Sequence, residues 1–456
     1  MRHTLIALSC LLLLTLVLAA QQPPAPTAPA PQAQPQQPPG QPGSVTLVLP
    51  GGGQLRKMKL AIPGFRGAGQ LSGAAGGAGR EVEETLRRDL DVSGYFEIQG
   101  PDVLSGLPLT GNVQQDLPIY RSTGNEVLIL GDLKAEGDRL VFEGRALDLG
   151  SGQAVVAKRY RGPYPVARRM AHTFADEVVR FLVGKPGIAL SQIAFTSDRT
   201  GSKEIFVMDY DGAEPRRITG HHSTSMSPAW SPNGGALAYT SFFNGPPAIY
   251  LADLESGRKR PIVASGSLNT SPSFSPDGRR VAFARSLEGN VEIFTADLDG
   301  GNLRRLTNSN AIDTNPAWSP KGGEIAFTSS RAGNPHLYLM DAEGANQRRL
   351  TFDGTYNDGA SWSPDGDLVA YTSRRDGQFQ IAVTNVVTLE TRVLTSGPGE
   401  NESPSFSPDG RKLAFTSRRG GTKQLYVMDL DGGNLRQLTT EGTNDLADWS
   451  RNIAEK

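Results

Sequence analysis

The sequence predicts an α/β N-terminal domain followed by an all-β six-bladed β-propeller whose last strand closes the first blade. Three observations carry this. A Trp-Ser or Phe-Ser pair recurs at Trp230, Phe274, Trp318, Trp362, Phe406 and Trp449, spaced by 44, 44, 44, 44 and 43 residues. Each repeat holds four short β stretches, the content of one propeller blade. The array is also split at its ends. Residues 193–219 (IAFTS, IFVMD, RRIT) give three strands with no Trp-Ser strand before them, and Ala447-Asp448-Trp449-Ser450 gives that strand alone. Together the two fragments make one blade, and ring closure removes the open edges of a linear β array. A linear β-solenoid is the alternative, but it needs capping repeats and does not split a unit between its ends.

At 456 residues, two or more domains are expected. Arg2, the apolar run Leu5–Leu18 and the small pair Ala19-Ala20 predict a secretory signal over residues 1–20, too short an apolar run to span a bilayer comfortably. A retained anchor is the lesser reading. A lipoprotein reading of Cys10, the only cysteine, is opposed by the apolar run that continues beyond it. The exported chain is therefore expected to fold without disulfides, outside the cytoplasm, with no later membrane span. Residues 21–43 contain only Gln, Pro, Ala, Gly and one Thr, which predicts a stiff tether; a ligand for a partner's aromatic groove is the sharper alternative.

Residues 44–185 alternate strands and helices, as one compact α/β domain does. Val45–Leu49 and Met58–Ile62 read as strands around Gly51-Gly52-Gly53. Val82, Leu86 and Leu90 line one face of a helix over Arg80–Leu90. Tyr95–Ile98 and Val127–Leu130 read as short buried strands, Leu140–Leu147 and Ala154–Tyr160 as a hairpin. A second helix, about Val166–Leu182, carries Met170, Phe174, Val178 and Leu182, and Gly184-Lys185-Pro186-Gly187 ends it. The propeller then occupies residues 188–456.

Within a repeat, Ser-Pro-Asp-Gly or a variant follows the Trp-Ser pair, with Pro presetting one corner and Gly accepting positive φ at the other. Strands such as VAFAR (281–285) and IFTAD (293–297) follow, then a basic strand such as RRLT (304–307), expected outermost as a solvated, protected edge. Asp-x-Asp-Gly at Asp209–Gly212, Asp297–Gly300 and Asp429–Gly432 invites a calcium reading. Calcium needs six or more oxygens, and hairpin-turn chemistry is the simpler account. The repeated Trp and Phe are expected to pack between blades.

Composition narrows the function. Lys+Arg 46 against Asp+Glu 47 leaves a net charge of −1, so no basic field for nucleic acid exists. No Gly-x-Ser-x-Gly elbow and no Walker-type phosphate loop is present, and His172, His221, His222 and His336 lack metal-ligand spacing. No cofactor or metal is expected, and the balance shifts from enzyme to interaction module. The variable polar loops between the fourth strand of one blade and the first of the next are Ser265–Thr270, Asn308–Asn315, Asp353–Asp358, Ser396–Glu402 and Glu441–Asp445. They share a face with turns bearing Arg199, Arg285, Arg331, Arg374, Arg375, Arg418 and Arg419. A rim of both charge signs around a central opening suits protein docking; ordinary solvated loops are the plainer reading.

The exported part after residue 43 resembles the TolB family of the Tol–Pal cell-envelope system. The resemblance rests on Ser44–Pro50, on Ala171-His172-Thr173-Phe174-Ala175-Asp176-Glu177-Val178 and on Ser225-Met226-Ser227-Pro228-Ala229-Trp230-Ser231-Pro232, joined to the repeat and the signal. It implies a monomeric, non-enzymatic periplasmic adaptor that supports outer-membrane integrity and constriction at division. It also implies that the crossover face binds the peptidoglycan-associated lipoprotein Pal, through Leu268, Asn269, Thr270, Asp313, Thr314, Asn315, Asn357, Asp358, Arg331, Arg375 and Arg419. Ser44, Val45, Thr46, Leu47, Val48 and Leu49 are implied to bind TolA. Leu268 departs from a His common in the family, and residues 21–43 put the TolA segment far from the mature start. A propeller hydrolase or lyase with its site in the central channel, and a peptidoglycan-binding module, are the alternatives.

Overall fold

The computed structural model describes residues 56–451 except 108, 109, 111, 288 and 398. The signal, the tether, the strand Val45–Leu49 and the Gly51–Gly53 turn lie outside the described residues, as does the TolA segment Ser44–Leu49.

The N-terminal domain is a five-stranded sheet with helices on both faces. Its strands are β1 (Met58–Ala61), β2 (Phe96–Gln99), β3 (Val127–Glu136), β4 (Arg139–Asp148) and β5 (Ala154–Pro163), in the spatial order β2-β1-β3-β4-β5. β1 runs parallel to β2 and β3, and β3-β4-β5 is an antiparallel meander. Helices α1 (Gly73–Val92) and α4 (Ala167–Val183) lie on one face. Val82, Leu86 and Leu90 from α1 and Met170, Phe174 and Val178 from α4 fill the core with Phe142 and Ile129. The ring of Phe174 sits where a side chain on residue 144 would stand, so the centre of β4 must be glycine. The opposite face is closed by α2 (Pro101–Leu104) and α3 (Val113–Ser122), which bring Leu104, Leu117 and Tyr120 over Leu128 and Leu147.

α1 starts at Gly73, not at Arg80. Its first turns are Ala and Gly, which give no amphipathic signal, and Gly76 and Gly79 let the preceding Leu71 pack directly on the helix. α3 is absent from the sequence expectation because Pro118 and a polar start disguise it. Asn112 caps it by accepting the N–H groups of Gln114 and Gln115.

The propeller is six sheets of four strands. Blade 1 is the composite: Asn444–Trp449 innermost, then Gln192–Ser197, Glu204–Asp209 and Arg216–Arg217. Blades 2 to 6 begin with Ser225–Trp230, Asn269–Phe274, Asp313–Trp318, Tyr356–Trp362 and Asn401–Phe406. Hydrogen bonds close the ring: Ser450 N–H donates to Gln192 O at 2.8 Å, and Trp449 Nε1 donates to Ser191 Oγ at 2.8 Å. Trp362 packs between Val369 and Tyr371 of its own blade and Leu337 and Leu339 of blade 4, as expected for the repeated aromatics.

Three local devices recur. In the Ser-Pro-Asp-Gly turn, Ser275 Oγ accepts Arg280 N–H at 2.9 Å and donates to Asp277 at 2.6 Å, fixing the hairpin. Each innermost strand kinks at its third regular position, where Ser227, Ser271, Asn315, Gly359, Ser403 and Leu446 have positive φ. In the Asp-x-Asp-Gly turn of blade 3 the carboxylates serve the turn itself: Asp299 accepts Gly301 N–H at 2.9 Å and Asp297 accepts Asn302 Nδ2 at 2.6 Å. A side chain on Gly300 would overlap the Ile262 carbonyl oxygen, so the turn also seats one blade on its neighbour.

The basic outer strands differ from the expectation in one respect. Arg216 and Arg304 face solvent, but Arg217 and Arg305 turn inward to the fully buried Glu204 and Glu292, at 2.9 and 2.8 Å. Edge protection and blade construction are divided between adjacent residues.

Candidate functional site

The face expected to dock a partner is built where crossover loops and the turns between second and third strands meet. They are tied together: Phe242 N–H donates to Thr224 O at 2.9 Å, and Ser330 N–H donates to Ile312 O at 3.1 Å. In four blades an arginine from the second strand or the turn after it reaches back to the first residue of its own innermost strand. Arg285 reaches Asn269 Oδ1 at 3.2 Å, Arg331 reaches Asp313 Oδ2 at 2.8 Å, Arg419 reaches Asn401 Oδ1 at 3.0 Å and Arg199 reaches Asn444 Oδ1 at 3.2 Å. The guanidiniums also stack on core rings, Arg331 on Tyr338 and Arg419 on Tyr426 at 4.9 Å each. These arginines brace each blade from within before they hold anything else.

This changes the role of several residues expected at the rim. Asn269, Asp313 and Asn357 are fully buried, with relative exposures of 0%. They open the innermost strands, where the crossover loop folds over them, so they support the face and do not present it. Asn357 is held by His336 Nδ1 at 2.9 Å and Asp353 O at 2.8 Å. Leu268, Thr270, Thr314, Asn315 and Asp358 are half-buried, as are Arg331 and Arg375; Arg419 is exposed at the surface. Arg375 reaches Ser373 Oγ at 3.4 Å and lies 3.9 Å from Asp353. Sequence reasoning passed over the apolar part of this face: Phe243, Ile312 and Phe352 are 46%, 55% and 60% exposed. Their signal was present as large apolar side chains inside otherwise polar loops.

The six innermost strands enclose a channel of about 530 Å³, lined mainly by Ser, Pro, Ala and Trp. At its crossover mouth stand Tyr356, Asp358, Phe379 and Glu402. Asp358 accepts from Tyr356 Oη at 2.9 Å, from Asn315 Nδ2 at 2.7 Å and from Thr328 Oγ1 at 2.7 Å. Lys423 pairs with Glu402 at 2.6 Å and Lys203 with Asp445 at 3.5 Å. Burial raises the Asp445 pKa, Glu402 adds to the rise, and the two lysines oppose it. Among the described residues, the channel lining contains no histidine.

A second constellation lies where the N-terminal domain meets the propeller, and from sequence its Asp209–Gly212 motif reads only as a hairpin turn. The turn Asp209-Tyr210-Asp211 of blade 1 inserts between α1 and α4. Arg168 donates to Asp209 at 2.8 Å and to Asp211 at 2.6 Å, and Arg88 donates to Asp211 at 2.7 Å. His172 Nδ1 meets Asp89 at 2.7 Å, and Tyr210 Oη donates to the other oxygen of that carboxylate at 2.8 Å. Burial works against the charged imidazole, but Asp89 and Asp209 outweigh it and raise His172 to about 9. Asp176 accepts the linker N–H groups of Ala189 and Leu190 at 2.9 and 3.1 Å, and burial pushes it up to about 7. One apolar core continues through the joint, from Val82, Phe174 and Val178 to Phe206, Met208, Val427 and Trp449 of blades 1 and 6.

Fold and joint define a class: two-domain proteins in which a small α/β domain is locked by ion pairs and a shared core onto a closed six-bladed propeller. Residues 179–405 and 390–453 match the family model described as the TolB beta propeller domain, and residues 51–155 match the TolB amino-terminal domain. The chain belongs to the TolB family. It is similar to the curated "Tol-Pal system protein TolB" of Geobacter sulfurreducens, 38% identical over 180 residues, 40% of this chain and 41% of that one. The "Protein TolB homolog" of Chlorobium chlorochromatii is 36% identical over 167 residues, 36% of this chain and 38% of that one. The chain thus spans about two-fifths of the length of the curated relatives it matches. Among solved structures, TolB from Acinetobacter baumannii superposes with a TM-score of 0.75 at 29% identity, covering 87% of this chain and 97% of that one.

Proposed function

We propose that this protein is a non-enzymatic periplasmic adaptor of a Tol–Pal system. In this reading it docks a Pal-like lipoprotein on the crossover face of the propeller and a TolA-like inner-membrane protein through Ser44–Leu49, in support of outer-membrane integrity and constriction at division. Membership of the TolB family, whose curated relatives carry the Tol-Pal name, supports the system. The observation that carries the docking face is its surface chemistry. Phe243, Ile312 and Phe352 stand exposed among polar loops, next to the half-buried Thr270, Thr314 and Arg331, which is the mixture of apolar anchors and polar rim that protein interfaces use.

The channel offers a poorer case for chemistry. A general acid or base must be free to meet substrate, whereas Asp358 is held by four donors, Gly359 N–H among them, and Asp448 by Trp230 N–H at 2.7 Å. Titration calorimetry of the protein with the soluble domain of its own Pal-like lipoprotein tests the adaptor reading. Saturable one-to-one binding is expected, weakened at least about tenfold, or about 1.4 kcal/mol, by Ile312→Asp and by Phe352→Asp without loss of fold. Asp313→Ala is not a suitable probe, because that side chain is buried. Absence of binding, or retention on purified wall without the lipoprotein, would replace this reading with the peptidoglycan-binding alternative.

A further inference from the structure

The propeller carries its own internal control for one unusual junction. At the start of the third strand, blades 5 and 6 place Gln380 and Gln424, both buried. In blade 5, Gln380 Oε1 accepts from Thr395 Oγ1 at 2.7 Å and from Asn401 Nδ2 of the next innermost strand at 2.9 Å. In blade 6, Gln424 Oε1 accepts from Thr439 Oγ1 at 2.7 Å and from Asn444 Nδ2 at 2.8 Å. The side-chain oxygen of each Asn accepts from an arginine of its own blade, Arg419 or Arg199. Neutral amides thus tie each blade to the next.

Between blades 3 and 4 both amides are replaced by carboxyl groups, Glu292 and Asp313, each 0% exposed. The rest of the arrangement is unchanged. Glu292 Oε2 accepts from Thr307 Oγ1 at 2.6 Å, as the glutamines accept from their threonines. Asp313 Oδ2 accepts from Arg331 at 2.8 Å, as the asparagines accept from their arginines. Asp313 Oδ1 therefore occupies the place of the asparagine nitrogen, the atom that donates to the third-strand residue. It is buried and, among the described residues, has no hydrogen-bond partner within 3.5 Å. An ionised carboxylate there would set one acceptor against another.

We propose that Asp313 and Glu292 share a single proton, carried on Asp313 Oδ1 and donated to Glu292 Oε2, so that the blade 3–blade 4 junction is closed when protonated and loosened when the proton leaves. The charged surroundings fit one negative charge in the pair, not two. Glu292 Oε1 already receives Arg305 at 2.8 Å, Ser309 N–H at 2.8 Å and Asn290 Nδ2 at 3.2 Å. Those bonds and that from Thr307 outweigh burial and hold Glu292 below the usual carboxylate range. Burial pushes Asp313 up and Glu292 pushes it further, against the Ser329 hydroxyl, Arg331 and the Thr307 hydroxyl, and the net direction is up. Arg285, opposite Glu292 on the second strand of blade 3, is engaged by Asn269. On the blade 4 side His336 is engaged by Thr351 and Asn357, and Asp358 of the next innermost strand by Asn315 and Thr328.

The consequence falls on the crossover face. Ser309 N–H hangs on Glu292, and Asn290 Nδ2 holds Ser309 O and Ala311 O at 2.7 and 2.9 Å, so this pair anchors the loop that presents Ile312. A carboxyl that binds its proton more tightly folded than unfolded stabilises fully at low pH and loses that contribution as pH rises through its folded value. The full chain and its Asp313→Asn variant should therefore be compared by thermal unfolding from about pH 5 to about pH 8. Asp313→Asn recreates the neutral donor of blades 5 and 6. We expect the wild type to lose about 3 °C relative to the variant across that range, and Glu292→Gln to remove the same drift, since the amide can donate to an ionised Asp313. Infrared difference spectra at neutral pH should show a protonated-carboxyl band that Asp313→Asn abolishes. Parallel pH profiles, or no such band, overturn the proposal.

Discussion

The fifth residue of each regular innermost strand sets how one blade grips the next. Ser273, Ser361 and Ser405 accept the backbone N–H of Trp318, Phe406 and Trp449 at 3.0, 3.1 and 2.9 Å, and Asp448 does the same for Trp230 at 2.7 Å. A carboxyl in this apolar ring is under strain that a hydroxyl is not. Burial raises Asp448 to about 6, with Trp230 N–H and Ser405 opposing. Its stabilising contribution is complete below the ordinary carboxylate range and is lost as pH rises through about 6. Asp448→Ser keeps the acceptor and should match or exceed the wild type in urea denaturation at mildly alkaline pH. Asp448→Ala leaves Trp230 N–H unpaired and should cost about 1–3 kcal/mol. Equal losses for both variants would show that the acceptor is irrelevant. At this scale the sequence says least: Asn269, Asp313 and Asn357 look like loop polar residues, and only the loop folded over them reveals that they are interior.

Whole elements were far more legible, because each blade repeats the same physical solution. Apolar strands alternate with turn chemistry that tolerates little change, so five units could be aligned by eye and the sixth assembled from the chain ends. Helices of the N-terminal domain were legible only where large apolar side chains recur. The Ala-Gly start of α1 and the Pro-containing α3 bury area through small residues or through one face of a short helix, and neither produces a period. The repeated aromatic is the element that ties strand to strand. Trp318 is buried beside Ile325, Phe327 and Tyr338, with the Arg280 guanidinium 4.9 Å from its ring. Trp318→Ala should cost roughly 3–5 kcal/mol, read as a shift of the denaturation midpoint. A loss below about 1 kcal/mol would mean that neighbouring blades close over the gap, contrary to the packing density of such interiors.

For the molecule as a whole, the joint between the domains decides whether it behaves as one body or two. A continuous core crosses from α1 and α4 into blades 1 and 6, and Arg168, His172 and Asp89 lie at its polar edge. Sequence alone does not reveal this joint: Asp209 and Asp211 read there as hairpin-turn chemistry and His172 as part of a helix, with nothing to link them to Asp89 or Arg168. Such a buried network is costly to break from one side: His172→Ala would strand Asp89 beside Tyr210 and should cost about 3–5 kcal/mol. The pH dependence has a defined sign. His172 is raised from its ordinary value of 6.5 to about 9, so its contribution is complete below the ordinary value and disappears as pH rises through about 9. Wild type should therefore unfold in one transition at neutral pH and lose cooperativity between the domains on the alkaline side. His172→Ala should already show separate unfolding of domain and propeller at neutral pH, with no further change through that window. Calorimetric scans of both proteins at about pH 7 and about pH 10 decide the matter. Parallel behaviour would place the coupling in the apolar core alone, and the imidazolium would be a passenger in a joint held by Phe174, Met208 and Trp449.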